Sequence, residues 1–552
     1  MVRSLVGSCL FILIAALAGC GDKGGRQTSV DGTAAPPPAD AAAPAAIEGI
    51  GPGEGGDKHA YLQENPFLHV SDAPLSTFSV DVDTASYSKV RGYLFDQRSL
   101  PPPDAVRIEE LVNYFDYDYS PPADQHPFAV HLEAATCPWQ PEHRLVRCGI
   151  QGKRIDDERP PSNLVFLIDV SGSMDAPNKL PLVKQGLAML VRQLGENDRV
   201  AMVVYAGAAG LVLPSTSGQQ QPRILAALES LDAGGSTNGG AGIKLAYRIA
   251  QEDFIKGGTN RVILCSDGDF NVGVTSTGDL VRLAIDKAKA GVFLSVLGFG
   301  FGNHNDAMLE EIADKADGNY AFIDTQAEAK KVLVEQMAGT LVTIAKDVKI
   351  QVEFNPAQVS AYRLIGYENR LLAARDFNDD TKDAGEIGAG HRVTAFYEIV
   401  PVGVEAPAPL VDPLKYQPAR SAADASAPPA SEFGNELLTI KLRYQPPAGG
   451  DSTLMTFPLK AGDQKFGQAT RDFQFAAAVA SFGMLLRDSK HRGDTSYAAV
   501  LETASAACGP DEHGYRAEFL ELVKAASRLA DKSDARPGTM ESWSEGRVAQ
   551  RQ

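Results

Sequence analysis

The sequence predicts a doubly wound, mostly parallel α/β domain. It is set between an N-terminal α+β region and a C-terminal antiparallel β domain that ends in helices. Three observations predict this. Between about residues 161 and 345, short apolar runs alternate with segments of helical period, the pattern of a parallel sheet covered on both faces. After about 346 the apolar residues alternate at period two with no helices between the runs, as in antiparallel sheets that pack as a sandwich. From Arg471 the apolar spacing returns to that of a helix.

The N-terminus begins MVRSLVGSCLFILIAALAGCGDKGG, with Arg3 ahead of an apolar run that ends in small residues. This is the layout of a secretory signal, assigned to residues 1–19. Leu17-Ala18-Gly19-Cys20 resembles the bacterial lipobox, which implies that Cys20 becomes the first mature residue and carries acyl chains. Several such chains anchor stably where one does not. Gly21 rather than Asp follows the cysteine, which by analogy with Gram-negative sorting favours an outer-membrane lipoprotein facing the periplasm. The inner membrane and the exterior remain alternatives. Residues 20–60 are rich in Ala, Pro and Gly and cannot bury enough apolar area to order themselves. They read as a tether reaching on the order of 35 Å.

Residues 61–160 carry mixed signals. FSVDVDTASYSKVRGYL passes from a strand into a helix, Ile108 to Phe115 is helical, and FAVHLEAATC and HRLVRCGIQG alternate as half-buried strands do. Residues 161–345 supply the strands NLVFLIDV, RVAMVVYA, RVILCSDG, GVFLSVLGFG and NYAFID, separated by helices such as KLPLVKQGLAMLVRQL and GAGIKLAYRIAQEDF. Residues 346–470 form the β domain from VKIQVEFN, YRLIGYENRLL, RVTAFYEIVPVG, LLTIKLRYQPP and LMTFPLK, interrupted by a Pro/Ala-rich loop. Residues 471–532 are helical, and 533–552 read as a disordered tail.

A net charge of −18 with acidic residues spread along the chain leaves no basic stripe for a phosphate backbone, so nucleic acid is excluded as an expected partner. Of six cysteines, Cys9 leaves with the signal and Cys20 is committed to lipid. Cys137 and Cys148 flank a short segment between strands and are candidates for a hairpin disulfide in an oxidising compartment. Cys265, inside RVILCSDG, reads as a small buried hydrophobe.

The stretch FLIDVSGSMD, residues 166–175, ends a buried strand in small oxygen-bearing side chains. It reads either as a polar turn capping the next helix or as a site for a hard metal ion. Asp169, Ser171 and Ser173 stand at alternate positions, so one turn can aim their oxygens at one point. DAGGSTNGG, with Thr237 at its centre, and LCSDGD, with Asp267 ending a strand, lie where that point would be. Oxygen ligands from three strand-end loops suit a hard divalent ion.

Asp169, Ser171, Ser173, Thr237 and Asp267 match, position by position, the metal-ion-dependent adhesion site of the von Willebrand factor type A domain, which this region resembles. The resemblance implies a Rossmann-like α/β fold. It also implies Mg²⁺, with Ca²⁺ or Mn²⁺ as alternatives, held by the two serines and the threonine, with the aspartates acting mostly through water. A partner protein's carboxylate completes the shell. ENPFLHVSDAPLSTFSVDVDTASYSKVR and LPPPDAVRIEELVNYFDYDY before this domain are similar to the bacterial YfbK-type proteins, as is VSAYRLIGYENRLLAARDFNDDTKDAGEIGAGH after it. The likeness implies family membership from about 61 to 530 without implying an activity.

Other stretches carry weaker signals. Asp81-Val-Asp83-Thr84 resembles the paired aspartates of haloacid-dehalogenase-type phosphatases, but Ala85 stands where that motif needs Thr or Val. A turn in which Asp83 or Thr84 caps a helix is the preferred reading. DFNDDTKD, residues 376–383, begins like an EF-hand loop but has Thr381 in place of Gly and Ile387 in place of the bidentate Glu, so a solvated hairpin loop is expected. The sequence thus predicts a non-enzymatic, lipid-anchored envelope protein whose metal captures an acidic residue of a protein partner. The alternatives are a metal-dependent envelope hydrolase and a structural protein braced by its metal.

Overall fold

In a computed structural model of the chain, the structure describes residues 61–80, 82–155, 159–235, 239–268, 277–301, 306–407 and 433–534. The chain opens with β1 (Leu68–His69), β2 (Leu75–Ser79), α1 (Ala85–Phe95), α2 (Ile108–Asn113), β3 (Phe128–Thr136) and β4 (Arg144–Gly152). The α/β domain follows as β5 (Ser162–Asp169), α3 (Leu180–Val191), β6 (Arg199–Tyr205), β7 (Ala209–Ser217), α4 (Gln221–Glu229), α5 (Gly239–Glu252), β8 (Thr259–Ser266), α6 (Thr277–Lys289), β9 (Val292–Phe299), α7 (Asp306–Asp314), β10 (Tyr320–Ile323), α8 (Gln326–Lys330) and α9 (Met337–Leu341). The remainder is β11 (Thr343–Phe354), β12 (Val359–Ile365), β13 (Ile387–Gly388), β14 (Arg392–Pro401), β15 (Glu436–Gln445), β16 (Thr453–Lys460), α10 (Arg471–Leu486), α11 (Tyr497–Ala506) and α12 (Tyr515–Asp534).

The α/β sheet has the order β10-β9-β8-β5-β6-β7, parallel except for the antiparallel edge strand β7. Strand alternation divides its side chains between two cores. Leu164, Phe166 and Ile168 of β5 pack with Leu180, Val183 and Leu187 of α3. Val165 and Leu167 pack on the other face with Ile243, Ala246 and Tyr247 of α5. Both faces of β5 are therefore buried, which is why its sequence is a continuous apolar run rather than an alternating one. From β5 the chain first adds β6 and β7 on one side, then crosses over to add β8, β9 and β10 on the other. That reversal leaves a crevice at the carboxyl ends of the central strands, where ligands of open α/β sheets bind.

The flanking segments interleave. Strands β1, β12, β14, β4 and β3 form one antiparallel sheet, and β2 pairs with β11 in a second that also holds β13, β15 and β16. The two sheets share a core in which Val146 and Ile150 of β4 meet Ile350 and Val352 of β11 and Ile440 of β15. The β domain is thus a sandwich, as expected, but segments 61–160 and 346–470 build it jointly rather than as separate units. The sequence boundary at 345 also falls inside β11. A period-two pattern identifies a strand without naming its partner, and Phe78 finds Ile350 far along the chain. The helices behave in the same way. Tyr87 of α1 and Leu111 of α2 share a core with Phe475 of α10, Val500 of α11 and Phe519 of α12.

The candidate disulfide between Cys137 and Cys148 is not formed, and both thiols are free and buried. Register is the reason. Cys148 stands opposite Leu132, whereas the Cys137 amide donates to the His143 carbonyl, 3.0 Å away. Leu132 and Cys137 lie roughly 17 Å apart along the strand, well beyond the span of a disulfide. The two thiols also face different cores. Cys265 is fully buried in the α/β core, as its apolar surroundings imply.

The reading of Thr84 as a helix cap is also corrected. Thr84 precedes α1 but makes no capping hydrogen bond with its side chain. Asp83 instead accepts the Tyr320 amide of β10 at 2.9 Å, and Glu110 of α2 accepts the Ser86 amide at 2.7 Å. A neighbouring helix, not the local sequence, supplies the carboxylate that accepts the Ser86 amide. Asp81 lies outside the described residues. The segment around Asp380 is solvated as expected but is not a hairpin, since β12 and β13 on either side of it pair with different strands; Asp380 accepts from Arg443 and Ser452.

Candidate metal centre

Asp169 is the last residue of β5 and Asp267 directly follows β8, the neighbouring parallel strand in which Cys265 pairs with Ile168. Two loops from adjacent strands therefore leave the sheet side by side, at the crevice set by the strand order. The third loop is tied to the first by main-chain bonds. The Gly172 amide donates to the Gly235 carbonyl at 3.1 Å, and the Gly234 amide to the Val170 carbonyl at 2.7 Å. These bonds bring the chain to within two residues of Thr237, which itself lies outside the described residues.

Within the first loop, the Ser171 amide donates to Asp169 Oδ1 at 2.8 Å, closing a tight turn, and the Ser171 and Ser173 hydroxyls lie 3.0 Å apart. Ser171 is buried and Ser173 exposed, so the hydroxyl pair runs from the sheet end to the surface. No side-chain cap to the following 3₁₀ turn, Gly172–Asp175, is made by Ser171. The helix-cap reading of FLIDVSGSMD thus finds no support in Ser171. Asp175 is exposed at the end of the turn. Asp269 lies outside the described residues.

Asp169 is fully buried, and its Oδ2 makes no hydrogen bond of good geometry, with the Tyr205 phenol close by. Burial pushes its carboxyl up to about 6, the Ser171 hydrogen bonds pull it back, and the nearby Asp267 charge raises it further. Two acidic groups held together at the end of an apolar sheet are costly without a cation. Asp267 is 4% exposed, and its Oδ2 accepts the Lys179 ammonium at 2.8 Å. Sequence reasoning missed Lys179, because a lysine ahead of an apolar helix reads as ordinary surface charge. Its position six residues beyond Ser173 was the available signal.

The donors fit a hard divalent ion. Asp169 Oδ2 is a buried oxygen in need of positive charge, and Ser171 and Ser173 present two neutral oxygens beside it. Bound there, the ion would supply Lewis acidity toward a carboxylate. The chain's own residues hold Ser171 against Asp169 through the turn and Ser173 beside Ser171 through their hydroxyls.

Other acidic clusters already hold cationic partners. Asp317, Asp383 and Glu386 bring carboxylate oxygens within 4.8 Å of one another, but Lys346 pairs with Asp317 and Lys315 with Asp383. Glu398 receives Trp139 Nε1, His143 Nδ1 and Arg363 Nη2 in a buried node that joins the β3–β4 turn to β12 and β14. Among the described residues, no helix is long and apolar enough to cross a membrane.

Residues 163–336 match the von Willebrand factor type A domain, residues 339–529 match the family described as uncharacterized protein YfbK, C-terminal, and residues 54–147 match the family described as von Willebrand factor. The uncharacterized protein YfbK of Escherichia coli K12 is 45% identical over 484 residues, covering 86% of this chain and 82% of that one. Human inter-alpha-trypsin inhibitor heavy chain H3 is 29% identical over 33% of this chain and 22% of its own length. Among solved structures, von Willebrand factor type A from Catenulispora acidiphila is 18% identical, covers 76% of this chain and 91% of that one, and has a TM-score of 0.39. The α/β domain is thus of the von Willebrand factor type A kind, and with the extent of its likeness to the E. coli protein the chain belongs to the YfbK family.

Proposed function

We propose that this chain is a non-enzymatic, lipid-anchored protein of the cell envelope whose α/β domain binds a protein partner through a divalent ion, Mg²⁺ in the first instance. The observation that carries this reading is the oxygen cluster at the reversal point of the sheet. Asp169 and Asp267 end adjacent parallel strands, and the Ser171 and Ser173 hydroxyls lead from the first of them to the surface. Thr237 is the fifth ligand. An ion with neutral hydroxyls against it keeps much of its charge available, so one carboxylate from a partner gains a strong bond. Cys20, carrying acyl chains, anchors the protein, and residues 20–60 hold the folded part away from the lipid. The outer membrane, facing the periplasm, is the location this reading favours.

The test is calorimetric titration of Mg²⁺ into the chelator-treated protein and into Asp169→Ala. Wild type should bind one ion and the variant none, with an unchanged thermal melt in chelator. A variant that titrates like wild type removes the proposed site. Protein capture from envelope extracts should then depend on Mg²⁺ and be lost in Asp169→Ala. Chelation that lowers the melting temperature but leaves capture intact would instead make the ion a structural brace.

A further inference from the structure

Lys179 lies between the metal loop and α3, and its side chain crosses the carboxyl end of the sheet. Its Nζ donates to Asp267 Oδ2 at 2.8 Å, and the pair is largely shielded from water, with side chains 15% and 3% exposed. The aliphatic stem runs over Gly300, just beyond β9. A Cβ on Gly300 would stand 2.4 Å from Lys179 Cε and 2.8 Å from its Cγ. Gly300 also adopts φ +73°, a conformation that favours glycine. The lysine stem therefore packs directly on Gly300, where a Cβ would push it aside, and its ammonium delivers one positive charge to a carboxylate assigned to the ion.

We propose that Lys179 is a built-in competitor of the divalent ion, so that ion binding and withdrawal of the Lys179 ammonium from Asp267 are one coupled event. This rests on the metal-binding reading above. A compact ammonium and a divalent ion cannot share the Asp267 carboxylate without strong mutual repulsion at low dielectric. Displacing the lysine therefore consumes part of the ion's binding free energy. When no ion is bound, the ammonium contributes positive charge to the buried Asp267 carboxylate. It also sets the ion concentration at which the site fills. Once displaced, it is a second positive charge beside the ion for an incoming acidic side chain.

The experiment is calorimetric Mg²⁺ titration of the full chain as wild type, Lys179→Gln, Lys179→Arg and Asp169→Ala, with thermal melts of each in chelator and in Mg²⁺. Lys179→Gln should bind Mg²⁺ about tenfold more tightly than wild type, since a charge competing at short range is removed. It should also melt lower in chelator and gain more from Mg²⁺ than wild type does. Lys179→Arg, which keeps the charge, should stay near wild type. Equal affinities for wild type and Lys179→Gln, or weaker binding by Lys179→Gln, overturn the competition. Wild type and Lys179→Gln both failing to bind, like Asp169→Ala, overturns the metal reading itself and the competition with it.

Discussion

At the scale of single residues, the molecule separates side chains that share a motif from those that share only a neighbourhood in sequence. Asp169, Ser171 and Ser173 are held by one turn, so their chemistry was legible from alternate positions in a short stretch. Cys137 and Cys148 looked equally local, yet strand register sends them to different cores. Burial pushes the Cys148 thiol up to about 12 and raises that of Cys137 well above its ordinary range, so neither is a ready thiolate. Labelling the native, unreduced protein with a maleimide should leave both unmodified. Denaturation without reductant should then expose both to the reagent, and a failure to label after denaturation would restore the disulfide.

At the scale of elements, buried charge joins the α/β domain to the helices around it. Arg91 of α1 pairs with Asp324 after β10 at 2.5 Å, with Glu328 of α8 at 2.7 Å and with Glu518 of α12 at 2.8 Å. Beside it, Lys331 is buried against Tyr114 and donates to the Tyr114 carbonyl at 2.6 Å. Burial lowers its ammonium to about 7 from an ordinary 10.5, against the pull of Glu328. The folded state therefore holds its proton less tightly than the unfolded chain. The resulting cost to stability is complete below about pH 7 and is relieved as pH rises toward the unfolded value. Over that window the lysine should add up to about 1.4 kcal/mol of stability per pH unit. Lys331→Met should lose this rise, which urea unfolding of the two proteins at pH 7, 8 and 9 would show as a flatter profile. Parallel profiles would mean that Lys331 stays charged throughout.

At the scale of the whole molecule, the α/β domain is inserted into a sandwich and a helical layer whose two halves come from before and after it. β4 pairs with β14 along eight residue pairs from Arg392 to Ile399, and β2 lies on β11. A chain ending at residue 345 would leave β2 and β4 without these partners and expose their apolar faces. Such a truncation should aggregate in size-exclusion chromatography. Residues 161–345 alone, which retain α3 and α5 over the two faces of their own sheet, should remain monomeric and folded by circular dichroism. A monodisperse 61–345 fragment would show that the N-terminal segment folds without its C-terminal partners.

The α/β domain and the turn that gathers Asp169, Ser171 and Ser173 could be read directly because their causes are local. Alternating strands and helices bury both faces of each strand, and a strand end with alternating oxygens needs only one turn to converge. β7 escaped because GLVLPSTS, on the sheet's edge, has neither a continuous apolar run nor a clean alternation. The sequence by itself determined the fold class and the family, and it singled out the oxygens of Asp169, Ser171, Ser173 and Asp267. Only the tertiary structure decided that the flanking segments build one sandwich, that Cys137 and Cys148 stay apart, and that Lys179 reaches Asp267 over Gly300. These depend on strand register and on contacts between residues distant in the chain, and no local pattern of side chains encodes which distant strand or loop will arrive.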